Sequence, residues 1–137
     1  MKNGLVVRGQ TGPSPTISVD GVQTASANLP SLPTGYGSAE ASIHSHPTTV
    51  QVVGKGATAQ LYPQSASSPS TTDNTTFTQF KFKVIVGPLG PLKGALYNQA
   101  KDTMTIPNRT NGLAIYDRNT NPIIELKKKI VENIIGK

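Results

Sequence analysis

No cysteine occurs in this chain of 137 residues, so neither disulfides nor thiolate-ligated metal sites are open to it. That absence does not choose between the cytoplasm and the exterior. Aromatic residues are scarce, at 5% of the chain, so the core must be small and built from Val, Ile and Leu. No segment approaches the ~20 apolar residues that a membrane-spanning helix requires. The apolar run Leu5-Val6-Val7 is too short for a signal peptide. Acidic residues number only 7 and histidines only 2, which narrows the search for polar chemistry to a few positions.

What is present points to one domain over residues 1–137, long enough for a single core and too short for two. The 13 glycines and 11 prolines, with abundant Ser and Thr, predict long loops around a compact centre. The net charge of +6 invites a nucleic-acid reading. Its distribution argues against one. Lys127, Lys128 and Lys129 cluster near the C-terminus, and the other bases are scattered without interleaved aromatics, so the run reads as a solvated helix face. No membrane partner is expected either. Asn74-Thr75-Thr76 and Asn108-Arg109-Thr110 fit the glycosylation tripeptide, a pattern that arises often by chance. Because the chain opens on a strand-like segment, it is expected to be a piece of a larger protein.

Patterning yields a mixed set of elements. Leu5–Val7 predicts a short buried strand, and the stretch around Asp20-Gly21 a hairpin, since both residues tolerate positive φ. Residues 26–37 are Pro- and Gly-rich loop. Residues 38–46 alternate, with Ala39, Ala41 and Ile43 on one side and Glu40, Ser42, His44 and His46 on the other. Residues 50–53 suit a further short strand, and 54–69 show no periodicity. Ser70-Thr71-Thr72-Asp73 has the spacing of a capping box and predicts a helix to about Phe80. Residues 82–86 form a strand closed by Gly87-Pro88. Residues 89–106 are ambiguous. Residues 113–116 and 123–126 pair as a hairpin, and 127–135 close the chain as an amphipathic helix with Ile130, Val131, Ile134 and Ile135 inward and Gly136 as terminator.

The two histidines fall in one motif, Ile43-His44-Ser45-His46-Pro47. Residues i and i+2 of a strand face the same side about 6–7 Å apart, so the two imidazoles can converge on one ion. Two neutral nitrogen ligands, a carboxylate and an open position describe a catalytic zinc site. Two exposed histidines on a sheet edge are the plain alternative. The metallo-β-lactamase pattern continues with Asp-His, whereas Pro47-Thr48 follows here, and the amidohydrolase barrel needs roughly 250 residues. Neither fits.

His44-Ser45-His46-Pro47 followed by Ser70-Thr71-Thr72-Asp73 resembles the signature of the JAMM (JAB1/MPN/Mov34) zinc metallopeptidases, which include deubiquitinating isopeptidases and bacterial relatives found in polymorphic toxins. The resemblance implies an α/β fold, a mixed curved sheet flanked by helices of the cytidine-deaminase-like kind. It implies Zn2+ as cofactor, held by His44, His46 and Asp73, with Ser70 stabilising the oxyanion. It also implies a peptide or protein substrate, cleaved at a peptide or isopeptide bond. A domain that keeps this fold without catalysis, and a metal-free β-rich surface domain, are the rival readings.

The chain departs from the family's pattern in two places. Between His46 and Asp73 lie 26 residues (73 − 46 − 1), more than the family's usual spacing, which predicts a loop insertion over 51–69 on the rim of the site. The general base of the family is a glutamate on an early strand, and the matching position here holds Met1. Glu40 is the one glutamate before His44, about 13 Å along a regular strand. It is the remaining candidate for the base, at a reach a side chain does not readily span.

Overall fold

The largely apolar segment after Lys81 becomes an inner strand of the computed structural model. Residues 5–12, 16–17, 23–24, 30–31, 34–35, 39–46, 51–54, 60–62, 65–91, 94–101 and 103–136 are described. In chain order the elements are β1 (Thr16–Ile17), β2 (Gln23–Thr24), β3 (Ala41–Ser45), β4 (Gln51–Val53), β5 (Gln60–Tyr62), α1 (Thr71–Thr76) with a 3-10 turn at Phe77–Gln79, β6 (Phe82–Pro88), β7 (Leu96–Asn98), β8 (Thr103–Thr105), β9 (Asn111–Asp117), β10 (Pro122–Lys127) and α2 (Lys128–Ile135). The chain divides into two compact units, residues 1–39 and 40–137.

In the first unit, β1 and β2 pair antiparallel with Thr16 opposite Thr24 and Ile17 opposite Gln23, a register symmetric about position 20. This is the expected hairpin; its turn lies outside the described residues. The strand expected at Leu5–Val7 does not form. Residues 5–12 are irregular, and Leu5 and Val6 are exposed. Three apolar residues carry no register of their own, and strand structure requires a pairing partner.

The second unit holds a four-stranded mixed sheet in the order β10-β9-β6-β3. Strands β3 and β6 are parallel, with His44 opposite Ile85, while β6–β9 and β9–β10 are antiparallel. The fold is therefore α/β with a mixed sheet and few helices. Parallel neighbours need a crossover, and α1 lies on the connection from β3 to β6. Residues Ile85 and Ala114 of the sheet, with Tyr116, pack against Ala66 to form the core, and Leu89 closes its side.

The pleat decides which chemistry is buried. On the face covered by residues 65–80 lie Ser42 and His44 of β3, His46 just past its end, and Lys83, Ile85 and Gly87 of β6. The opposite face carries Ile43, Val86 and Ile124, all exposed. Strand β3 thus turns its polar side inward and its apolar side out, and Ile43 remains 67% exposed.

Other expectations resolve unevenly. The capping box is present, but α1 is shorter than expected and passes into the 3-10 turn at Phe77. The supposed loop over 54–69 contains β5, which pairs antiparallel with β4. The ambiguous 89–106 region contains the β7–β8 hairpin. Helix α2 forms where expected and ends at Gly136, whose N–H donates to the Glu132 carbonyl at 2.8 Å. Its apolar stripe is not inward. Ile130, Ile134 and Ile135 are exposed; among the described residues the helix lies mainly beside β9 and β10, and it buries no residue. Among the described residues, no helix is long and apolar enough to cross a membrane.

Candidate metal centre

Two short-range rules place the ligands. Alternation along β3 sends His44 and His46 to the same face, and the main chain continues the ladder past the strand, His46 N–H donating to the Val86 carbonyl at 2.8 Å. The capping box fixes Asp73. Ser70 Oγ accepts from Asp73 N–H at 3.1 Å, and Asp73 Oδ2 accepts from Ser70 N–H at 2.6 Å. One carboxylate oxygen is thereby tied to the helix start.

These elements bring His44, His46 and Asp73 together. One ligand atom from each lies within 4.8 Å of the other two. Asp73 Oδ1 is 2.9 Å from His44 Nε2, and Oδ2 is 3.1 Å from His46 Nε2. Asp73 is only 3% exposed. Donors about 2.0–2.2 Å from a shared tetrahedral ion lie roughly 3.3 Å apart; the two contacts, one to each carboxylate oxygen, are close to that spacing, and all three donors lie within 4.8 Å of one another.

The hydrogen-bond pattern tests the fit. His46 Nδ1 is 2.7 Å from the Ser65 carbonyl, an acceptor only, so Nδ1 carries the proton and Nε2 faces Asp73. A metal-ligating histidine ordinarily has such an outer partner. His44 differs. Its Nε2 contact with Asp73 lacks hydrogen-bond alignment, and both of its buried ring nitrogens are without a hydrogen-bond partner. A buried lone pair without a donor costs on the order of 1–3 kcal/mol, and a cation satisfies it. The residues fit a metal ion. Neutral imidazoles with a carboxylate are donors suited to zinc and its first-row neighbours.

Electrostatics agree. Burial pushes the Asp73 carboxyl up, but contacts with His44, His46 and the Ser70 amide and hydroxyl outweigh it and hold the group well below the usual carboxylate range. Burial likewise disfavours the charged form of His46. The Asp73 contact and the Ser65 carbonyl override that and raise its pKa above 6.5. When Nε2 is protonated, it donates to the carboxylate.

Of the residues expected at the site, His44, His46 and Asp73 meet, and Ser70 caps the helix beside them with an exposed side. Glu40 is not brought to them. Its carboxylate, 73% exposed, pairs with Lys81 at 3.5 Å. Met1 lies outside the described residues, and the strand expected to follow it is absent at 5–7.

Sequence reasoning missed several supports. Phe77 stacks on His44, with ring centroids 4.9 Å apart and planes 10° from parallel. Buried Ser65 donates from Oγ toward the Pro88 and Gly90 carbonyls, at 3.1 and 2.9 Å, and so pins its own carbonyl under His46. Tyr116 Oη donates to the Ala66 carbonyl at 2.7 Å. Residues 65–67 of the supposed insertion therefore belong to the site's foundation. No local pattern marks Ser65, which lies within the aperiodic stretch 54–69. No family model matches the chain, and neither a curated protein nor a solved structure shows significant similarity to it.

Proposed function

We propose that residues 40–137 form a zinc-dependent peptidase or isopeptidase domain of the JAMM kind, acting on a peptide or protein substrate. The observation that carries this reading is the convergence of His44, His46 and a helix-start Asp73 whose cap is Ser70. His44, His46 and Asp73 would hold the zinc, which when bound supplies Lewis acidity toward the scissile carbonyl and an acidified water. Ser65 and Phe77 orient the imidazoles, and Lys83 lies beneath Asp73. Ser70 Oγ already accepts from Asp73 N–H, which leaves its hydroxyl proton free to donate to a developing oxyanion.

A second reading is favoured by the position of Glu40. A general base must come within about 2.6–3.2 Å of the proton it removes. Glu40 instead faces solvent and Lys81, and Asp73 as ligand is not free for that task. On this reading the domain binds metal and a partner polypeptide without cleaving it.

Zinc titration of the purified protein tests both. About one zinc per chain is expected, with tight binding abolished by His44→Ala or His46→Ala. Equal binding by His44→Ala protein overturns the ligand assignment. Hydrolysis of peptide and isopeptide substrates by zinc-loaded protein then separates the peptidase from the binding module.

A further inference from the structure

Beneath the metal group, β6 carries a lysine whose side chain is 0% exposed. Lysine is almost never fully buried unless paired. Lys83 Nζ donates to the main-chain carbonyl of Asp73 at 3.2 Å and to Thr120 Oγ1. Both of these acceptors are neutral. Thr120 lies in the β9–β10 connection with φ 66°, in the left-handed region that a β-branched residue seldom enters. Such backbone persists where its surroundings over-determine it. The buried ammonium therefore links a strained threonine to the main chain of Asp73.

We propose that Lys83 is a positioning residue for the metal group, with Thr120 as its anchor; this rests on the metal-site reading above. The main chain of Asp73 is then held on both sides, its N–H by Ser70 Oγ and its carbonyl by Lys83 Nζ. In register, Lys83 pairs with Ser42, two residues along β3 and β6 from the His44–Ile85 pair and on the same face. The clasp thus sets the depth of Asp73 above the strand that supplies both histidines. Stability alone does not account for it, because replacing a buried charge by an apolar side chain of similar volume is often neutral or stabilising. A fixed ligand geometry does account for it.

The test compares zinc affinity, the visible spectrum of the cobalt-substituted protein, and the urea stability of the metal-free protein. The parent is measured beside Lys83→Met, Thr120→Ala and Thr120→Ser. Lys83→Met and Thr120→Ala are expected to weaken zinc binding about 10–100-fold, the range seen for outer partners of metal ligands, and to shift the cobalt bands. Metal-free Lys83→Met should be as stable as the parent or more so, and Thr120→Ser, which keeps the hydroxyl, should bind as the parent does. Parent-like affinity and spectrum in Lys83→Met overturn the proposal. So does a loss of affinity no larger than a loss of metal-free stability explains. Should Lys83→Met fail to fold, the threonine pair decides, and equal affinities of the Ala and Ser proteins overturn it. A parent that binds no zinc is seen before any variant and overturns the metal reading itself, and this inference with it.

Discussion

Removing the Tyr116 hydroxyl should make the protein weaker at neutral pH and relatively stronger in alkali. Tyr116 is 3% exposed and donates to the Ala66 carbonyl, so Tyr116→Phe leaves that carbonyl without its partner, at a cost of about 1 kcal/mol. Burial, then the negative charges of Glu125 and Asp73, push the Tyr116 pKa from 10.0 up to about 12. The folded state therefore favours the neutral phenol. Its contribution is whole below the unfolded value near 10 and is lost as pH rises from there toward 12. One pKa unit corresponds to about 1.4 kcal/mol, so roughly 3 kcal/mol disappears across the whole window and about half of it by pH 11. The phenylalanine protein lacks this ionisation. Urea unfolding at several pH values should show the parent ahead by about 1 kcal/mol at pH 8 and the two proteins meeting near pH 11. Parallel stability profiles from pH 8 to 11 would falsify the account of Tyr116.

Three further changes probe the metal centre. Ser70→Ala should lower stability by about 1 kcal/mol through the lost cap; if Ser70 also serves an oxyanion, turnover of active protein should fall about 100-fold, beyond what the cap explains. The raised pKa of His46 means that its pairing with Asp73 stabilises metal-free protein fully below pH 6.5 and less as pH climbs through the folded value. Metal-free protein should accordingly unfold at lower urea concentration at pH 9 than at pH 6, while zinc affinity, which competes with the same proton, rises; a metal-free protein that gains stability over that interval contradicts the assignment. Gly87→Ala places a methyl 2.9 Å from the His46 carbonyl and 3.4 Å from its Cβ, so the histidine must shift. A cost of about 1–3 kcal/mol and weaker zinc binding are expected by calorimetry, and an unchanged protein would show the strand end to be more yielding than described.

Local rules made part of this molecule readable in advance. The capping box at Ser70 and Asp73 is written within four residues, and strands β6, β9 and β10 announce themselves as short apolar runs beside turn residues. The His44–His46 pair is legible from alternation, since a period of two puts both rings on one side. Alternation does not say which side is covered. Only the docking of α1 decides that the polar side of β3 goes in while Ile43 stays out. Ser65 and Lys83 were unreadable because their partners lie 19 and 37 residues away at His46 and Thr120, contacts that no short window contains. Helix α2 shows the converse failure. Its apolar stripe is correct as a pattern, yet a pattern implies burial only where another layer exists to receive it.

The contact between His46 and Ser65 also bears on how this domain can change over time. It joins the two ends of an 18-residue stretch (65 − 46 − 1), so that stretch is a closed loop whose mouth is fixed by the site's own hydrogen bond. Closing a loop twice as long costs only about 0.6 kcal/mol more. The β4–β5 hairpin can therefore lengthen, shrink or be exchanged while the imidazole at the loop's mouth holds its place. Variation in whatever that hairpin meets is thermodynamically separated from the chemistry at its base.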